Sequence, residues 1–314
     1  MFESIFQAIE AHDTVIIHRH RNPDGDALGS QIGLKHILLE NWPGKRVYTV
    51  GDAAGRYAFM ADSDMDDVPD TAYADALAII LDTSGRTLIS DDRWTLAHDT
   101  ARIDHHIFLE PIAAHEVTDT SYESCCGLVT QFAVECGLQV PPLAAQSLFT
   151  GMVTDSGRFR FDSTTARTYR LAAFLMEKGI DTNTLYRNLY CSDYEMVKLK
   201  ARYVEKMRLT EHRVAYIYTT REELEQTGAD FFTISRSMVG VMNDIRGVEI
   251  WANFTESPEG VVCELRSALK NINPIATKYG GGGHAKACGA TVPDRETALR
   301  MLSELDEMAG ECDE

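Results

Sequence analysis

The sequence predicts an α/β protein: an N-terminal domain on a parallel sheet, joined by a helical connector to a smaller α/β domain with a mixed sheet. Three observations carry this. Over about the first 190 residues, short apolar runs alternate with segments of helical spacing, the pattern of βαβ units. Residues 77–81, Leu-Ala-Ile-Ile-Leu, contain no polar position, as in parallel strands buried on both faces. Beyond residue 210 the apolar positions recur with period two, and 261–265 follows 248–254 across Ser257-Pro258-Glu259-Gly260, a hairpin pattern.

In chain order, residues 1–10 read as an amphipathic helix bearing acids, unlike a basic signal peptide. Residues 14–18 are rich in β-branched side chains and predict a strand. A helix over 27–39 follows, with Leu28, Ile32, Leu34, Ile37 and Leu38 as its apolar stripe. Residues 46–50, 77–81 and 101–103 read as strands, and 124–135, 142–152, 166–178 and 182–190 as helices, with Gly157 and Gly179 as breaks. Residues 193–208 form a charged run without breakers, the composition of a solvated connector. The domains expected are thus 1–191, a connector at 192–210, and 211–314. The last contains strands at 213–219, 248–254 and 261–265 and helices at 234–245, 274–279 and 296–308.

Composition narrows the function. With 44% apolar and 25% charged residues the chain is that of an ordinary globular protein, and no run approaches the roughly 20 apolar residues that cross a bilayer. Seven cysteines without C-x-x-C spacing fit a reducing cytoplasm better than a disulfide framework. Acids outnumber bases 48 to 30, a formal charge of −18. Such a surface repels long polyanions, so any nucleotide substrate should be short and held in a local cationic pocket.

Four acid-bearing segments define the candidate site. They are His20-Arg-Asn-Pro-Asp24-Gly-Asp26, Asp82, Asp104-His105-His106 and Thr154-Asp155-Ser156-Gly157. Three follow apolar strand-like runs, and the fourth follows 147–153, whose pattern is ambiguous between strand and helix. Ligands of open parallel sheets gather outside the carboxyl ends of the strands, so these side chains should meet along one edge. Carboxylates crowded there would repel one another unless cations sat among them, and two divalent metals are the simplest remedy. Singly, each motif has a plain alternative: Asn22-Pro23-Asp24-Gly25 has turn chemistry, Asp26 is placed to cap a helix at Ala27, and Asp82 is placed to cap or turn. Adjacent imidazoles after a carboxylate are more specific, since one can bind metal while the next faces substrate. His18, on the same face as His20, reads as packing or support.

In order and spacing, His20-x-x-x-Asp24-x-Asp26, Asp82, Asp104-His105-His106 and Asp155 resemble the DHH phosphoesterase superfamily, and Leu265-Arg266-Ser267 and Gly280-Gly-Gly-Gly-His284 resemble its DHH-associated domain. The likeness spans essentially the whole chain and is closest to the nano-RNase/pAp-phosphatase branch. It implies that His20, Asp24 and Asp82 hold one metal, usually manganese. Asp26, Asp82, His105 and Asp155 would hold the other, with Asp82 as catalytic bridge and His106 on the scissile phosphate. Arg266, Ser267 and His284 would line the nucleotide pocket.

From the residues alone, the glycine run, with Gly281, Gly282 and Gly283 at its heart, could form an anion nest or a flexible turn. Arg266 could grip a phosphate or be a surface charge. Arg158 and Arg160 are further phosphate candidates, while Phe159 and Tyr279 read as core before base stacking. The resemblance implies a cytoplasmic enzyme that cleaves pApA, nanoRNA of two to five nucleotides and pAp to nucleoside 5′-monophosphates. Its partners would be those short linear nucleotides, with long or duplex nucleic acid and membranes excluded and a homodimer left open. The alternatives are a cyclic di-AMP phosphodiesterase and a catalytically silent nucleotide sensor.

Overall fold

The computed structural model describes residues 1–311 and divides the chain into two compact units, Met1–Cys191 and Ser192–Glu314. In the first, helix α1 (Glu3–Ala11) precedes β1 (Thr14–His18), α2 (Gly25–Asn41), β2 (Arg46–Thr49), β3 (Ala76–Leu81), β4 (Asp99–Asp104) and β5 (His115–Thr118). Helices α3 (Cys125–Glu135), α4 (Pro142–Asp155), α5 (Ala166–Met176) and α6 (Thr182–Tyr190) complete it. The strands form a parallel sheet in the order β2-β1-β3-β4-β5. Every residue of β1 and β3 is buried, which explains the unbroken apolar composition of β3 and of the centre of β1, residues 15–17.

The two faces of this sheet are covered differently. Val15, Ile17, Leu77, Ile79, Ala101 and Ile103 face the main core with the helices. Ile16, Ala78 and Ile80 face smaller clusters built on loop residues such as Tyr73, Ile89 and Trp94.

Helices α2 and α4 pack antiparallel at very close range. A Cβ on Gly25 would lie 2.5 Å from Thr154 Oγ1, on Gly29 2.5 Å from the Ser147 carbonyl oxygen, and on Gly33 2.5 Å from Leu148 Cγ. From α4, a Cβ on Gly151 would lie 2.2 Å from Cys126 Sγ and 2.9 Å from Asp26 Oδ1. Glycines at every fourth position thus form a flat stripe along which α2 lies directly on α4.

The second unit contains α7 (Tyr194–Lys206), β6 (Arg208–Leu209), β7 (Ala215–Thr219), α8 (Arg221–Thr227), β8 (Ile250–Ser257), β9 (Gly260–Ser267), α9 (Asn273–Lys278), β10 (Gly282–His284), β11 (Ala287–Val292) and α10 (Arg295–Gly310). Its mixed sheet runs β10-β11-β9-β8-β7-β6. The charged helix α7 is more than a solvated connector, because Leu199 and Tyr203 pack with Ala215, Ile217 and Met238. The helix expected over 234–245 is instead a π turn at Thr233–Ser237 followed by a 3-10 turn at Met238–Met242. Among the described residues, no helix is long and apolar enough to cross a membrane.

Candidate metal and substrate site

The sheet order places the reversal of strand order between β1 and β3, the position where open α/β sheets gather ligands. His20 lies two residues beyond β1, bridged to Ile89, rather than on the strand itself. Asp82 directly follows β3, and His105 directly follows β4. Asp155 does not follow a strand: residues 147–153 lie inside α4, and Asp155 is its last residue. The glycine stripe between α2 and α4 brings it to the same edge as Asp26.

Helix α2 begins at Gly25, earlier than its apolar stripe suggests, because Asp24 caps it. Asp24 Oδ1 accepts from the N–H groups of Asp26 and Ala27 at 2.9 and 3.0 Å. Asp26 is therefore no cap but a buried residue of the first turn. Its oxygens accept the N–H groups of Cys125 and Cys126 at 2.7 and 2.9 Å, the start of α3. Sequence reading could not find these two donors, because backbone N–H groups carry no residue signature.

Asp82 stands at the centre. Its backbone has φ 52°, the left-handed region that aspartate tolerates better than most residues. One oxygen, Oδ2, is 3.4 Å from His20 Nε2, and the other, Oδ1, is 3.4 Å from His105 Nε2. His20 Nε2 also lies 3.9 Å from Asp24 Oδ1. His105 Nε2 lies 3.7 Å from Asp26 Oδ2 and 3.5 Å from Asp155 Oδ2. Three sets have ligand atoms mutually within 4.8 Å: His20/Asp24/Asp82, Asp26/His105/Asp155 and Asp82/His105/His106.

Electrostatics show how crowded this edge is. Burial alone would raise the Asp82 carboxyl, but the His105 and His20 imidazoles outweigh it and hold it well below the usual carboxylate range. Burial and the charges of Asp82 and Asp155 push Asp26 well above that range. Asp155 rises to about 7 through burial, opposed by His105 and reinforced by Asp82 and Asp24. Burial disfavours charged imidazoles, yet Asp82 lifts His20 to about 9, and Asp82, Asp26 and Asp155 lift His105 to about 11. Asp82 Oδ1 is buried without a well-formed hydrogen bond. A surplus of carboxylates, an orphaned buried oxygen and imidazole nitrogens together fit divalent cations that accept mixed N/O ligands.

A pH dependence follows. Between about 4 and about 7 the folded chain binds protons at Asp155 that the unfolded chain has released, so stability falls as pH rises through that window. His20 adds a second loss, from its ordinary 6.5 up to about 9. A cation must displace these protons and relieves the repulsion they mask. In scanning fluorimetry, manganese should therefore raise Tm more at pH 8 than at pH 5. Equal shifts at both would contradict this.

Two candidates of the second unit, Arg266 and His284, lie on one row of paired residues, while Ser267, next along β9, faces the other side of the sheet. His284 pairs with Ala287, Ala287 with Arg266, and Arg266 with Trp251, so their side chains share a face. Arg266 lies within β9 rather than at its end, and donates to the Leu265 carbonyl at 2.8 Å and Glu264 Oε2 at 3.1 Å. Glu264, which is buried, also pairs with Arg236; neither residue stood out in the sequence. Ser267 Oγ accepts the Lys270 N–H at 2.9 Å.

Part of the glycine run is an edge strand, β10, where an anion nest or flexible turn was expected. A Cβ on Gly281 would lie 2.1 Å from the Gly289 carbonyl oxygen, and one on Gly283 (φ 130°) 2.7 Å from that of Ala287. Strand packing thus accounts for both glycines, while open space surrounds Gly282. Arg158 covers the Tyr190 ring at 3.7 Å, and Phe159 packs between Phe149 and Tyr169. His18 is fully buried beside Tyr73, away from the cation sets.

Comparison with known proteins agrees with this arrangement. Residues 14–152 match the DHH family, N-terminal domain, and residues 229–311 match the DHHA1 domain. The chain is 32% identical over 314 residues to the bifunctional oligoribonuclease and PAP phosphatase NrnA of Bacillus subtilis, covering 99% of each chain. It is 34% identical over 290 residues to a probable NrnA of Streptococcus mutans, covering 92% of this chain and 93% of that one. The crystal structure of an exopolyphosphatase-related protein from Bacteroides fragilis matches with a TM-score of 0.88 and 25% identity, over 98% of this chain and 95% of that one. By full-length likeness and both matched domains, the chain belongs to the DHH family and is an NrnA-like, metal-dependent phosphoesterase.

Proposed function

We propose that the chain hydrolyses pApA, nanoRNA of two to five nucleotides and pAp to nucleoside 5′-monophosphates, releasing orthophosphate from pAp. Two divalent cations, manganese first among them, would be held by His20, Asp24 and Asp82 and by Asp26, Asp82, His105 and Asp155. The observation that carries this reading is the position of Asp82, one oxygen toward His20 and the other toward His105. Relatives named for oligoribonuclease and PAP phosphatase activity, similar over almost their entire lengths, support the substrate class.

Bound cations supply an activated water, orientation of the phosphate and compensation of the charge on its oxygens. The chain's own groups do the rest. Asp82 stays ionised and is shared between the two sets. His106 Nδ1 is engaged by Asp104 Oδ1 at 2.8 Å, which leaves Nε2 to contact the scissile phosphate or protonate the departing oxygen. Arg266, Ser267, Gly281, Gly282, Gly283 and His284 would hold the nucleotide, with Arg266 kept in place by Glu264.

A product-resolved assay of pApA, pAp, cyclic di-AMP and RNAs of graded length, with manganese and with chelator, tests this. AMP should accumulate from pApA and pAp only when manganese is present, and long RNA should resist. Tight binding of pApA without product would point to the silent sensor, and faster opening of cyclic di-AMP would point to that phosphodiesterase.

A further inference from the structure

Behind His106 lies a buried ion pair, Arg102 with Asp104, and the proposed chemistry gives no part to its arginine. Arg102 and Asp104 sit two residues apart on β4, both fully buried, on the face opposite Ala101 and Ile103. Arg102 donates to Asp104 Oδ2 at 2.6 Å and to the Glu110 carbonyl at 3.1 Å, and the Phe108 ring covers its guanidinium at 5.8 Å. The other oxygen, Asp104 Oδ1, receives His106 Nδ1 at 2.8 Å and the His106 backbone N–H at 3.3 Å.

His106 has a competing acceptor. Its Nδ1 is 3.5 Å from Asp82 Oδ1, and Asp82, His105 and His106 could together surround a cation. The imidazole can therefore serve either as a cation ligand or as a group facing substrate, and the direction of Nδ1 decides which. A carboxylate free to rotate would not settle the choice. One clamped at Oδ2 by a buried guanidinium keeps Oδ1 aimed at His106.

Resting on the phosphoesterase reading above, we propose that Arg102 is a positioning residue for His106. By fixing Asp104 it holds His106 Nδ1 away from the cation set and presents Nε2 to the scissile phosphate. Its place argues against direct contact with substrate, since it is fully buried with Nη1 on the Glu110 carbonyl and Nη2 on Asp104.

The test is a double-mutant cycle on the manganese-loaded enzyme with pAp, comparing wild type, Arg102→Met, His106→Ala and the double variant. Arg102→Met should lower kcat about 10–100-fold, the size of effect seen when the outer partner of a site group is lost, with KM nearly unchanged. In the His106→Ala background the same change should cost less than about threefold. Calorimetric titration with manganese should give the wild-type stoichiometry. Wild-type kcat in Arg102→Met, an equal loss in both backgrounds, or a lost manganese site would each overturn the proposal.

Should Arg102→Met fail to fold, Asp104→Asn preserves volume and must show the same dependence on His106. The imidazole 15N shifts of His106, which need no substrate, should report a changed tautomer or hydrogen bond in either variant. Unchanged shifts overturn this inference alone, whereas a wild-type enzyme that turns over neither pAp nor pApA overturns the functional reading beneath it.

Discussion

Asp82→Asn should abolish turnover, by at least about 10³-fold, while leaving the fold intact. The loss should exceed the roughly 10–100-fold typical of an outer-shell partner, because Asp82 would serve both cation sets. Asparagine is the informative replacement. It tolerates the left-handed backbone at φ 52° and keeps the side-chain shape, so the change isolates charge from strain. Alanine at this position should be equally inactive but less stable. kcat at saturating manganese, beside an unchanged circular dichroism spectrum, is the measurement. Activity within tenfold of wild type would refute the shared role.

The second large effect is expected at a residue that carries no charge. Gly29→Ala adds one methyl whose carbon would sit 2.5 Å from the Ser147 carbonyl oxygen, and backbone cannot move aside cheaply. In an open helix the same change would gain up to about 1 kcal/mol of propensity. Here overpacking should win, with a net loss of about 1–3 kcal/mol, and should push α2 from α4. Asp26 and Asp155 ride on those two helices, so manganese affinity should fall with stability. Gly33→Ala is the internal control: its added methyl meets the Leu148 side chain, which can change rotamer, and its cost should be smaller. Denaturant unfolding and manganese titration of both variants decide. A stabilised Gly29→Ala protein would show that the stripe is not a close contact.

What could be read from the sequence follows physical lines. β3 and the centre of β1 are apolar runs followed by ionisable groups, and this contrast exposes both strand and site, whereas β4 has only Ala101 and Ile103 as apolar positions. His115–Thr118 was missed as a strand because β5 buries only Val117. The start of α2 was misplaced because Gly25 and Asp26 look like a turn until Asp24 is seen to accept two backbone N–H groups. Glycines at 25, 29 and 33 lower helix propensity locally; only the neighbouring helix reveals them as a packing surface.

The expected helix over 234–245 has apolar spacing, but tertiary contacts around Ile234, Met238 and Met242 draw it into a wide π turn and a tight 3-10 turn. Arg102, Asp104 and Glu264 were legible as charged residues, though not as buried ones. A charged side chain's partner, unlike its type, is a property of the fold.

The central claim is that Asp82 lies between two bound cations. Crystals soaked in manganese and measured at its absorption edge test this directly through anomalous scattering. Two peaks are predicted in each chain, one beside His20 and Asp24 and the other beside Asp26, His105 and Asp155, with Asp82 contacting both. A single peak, no peak, or peaks away from Asp82 would contradict it.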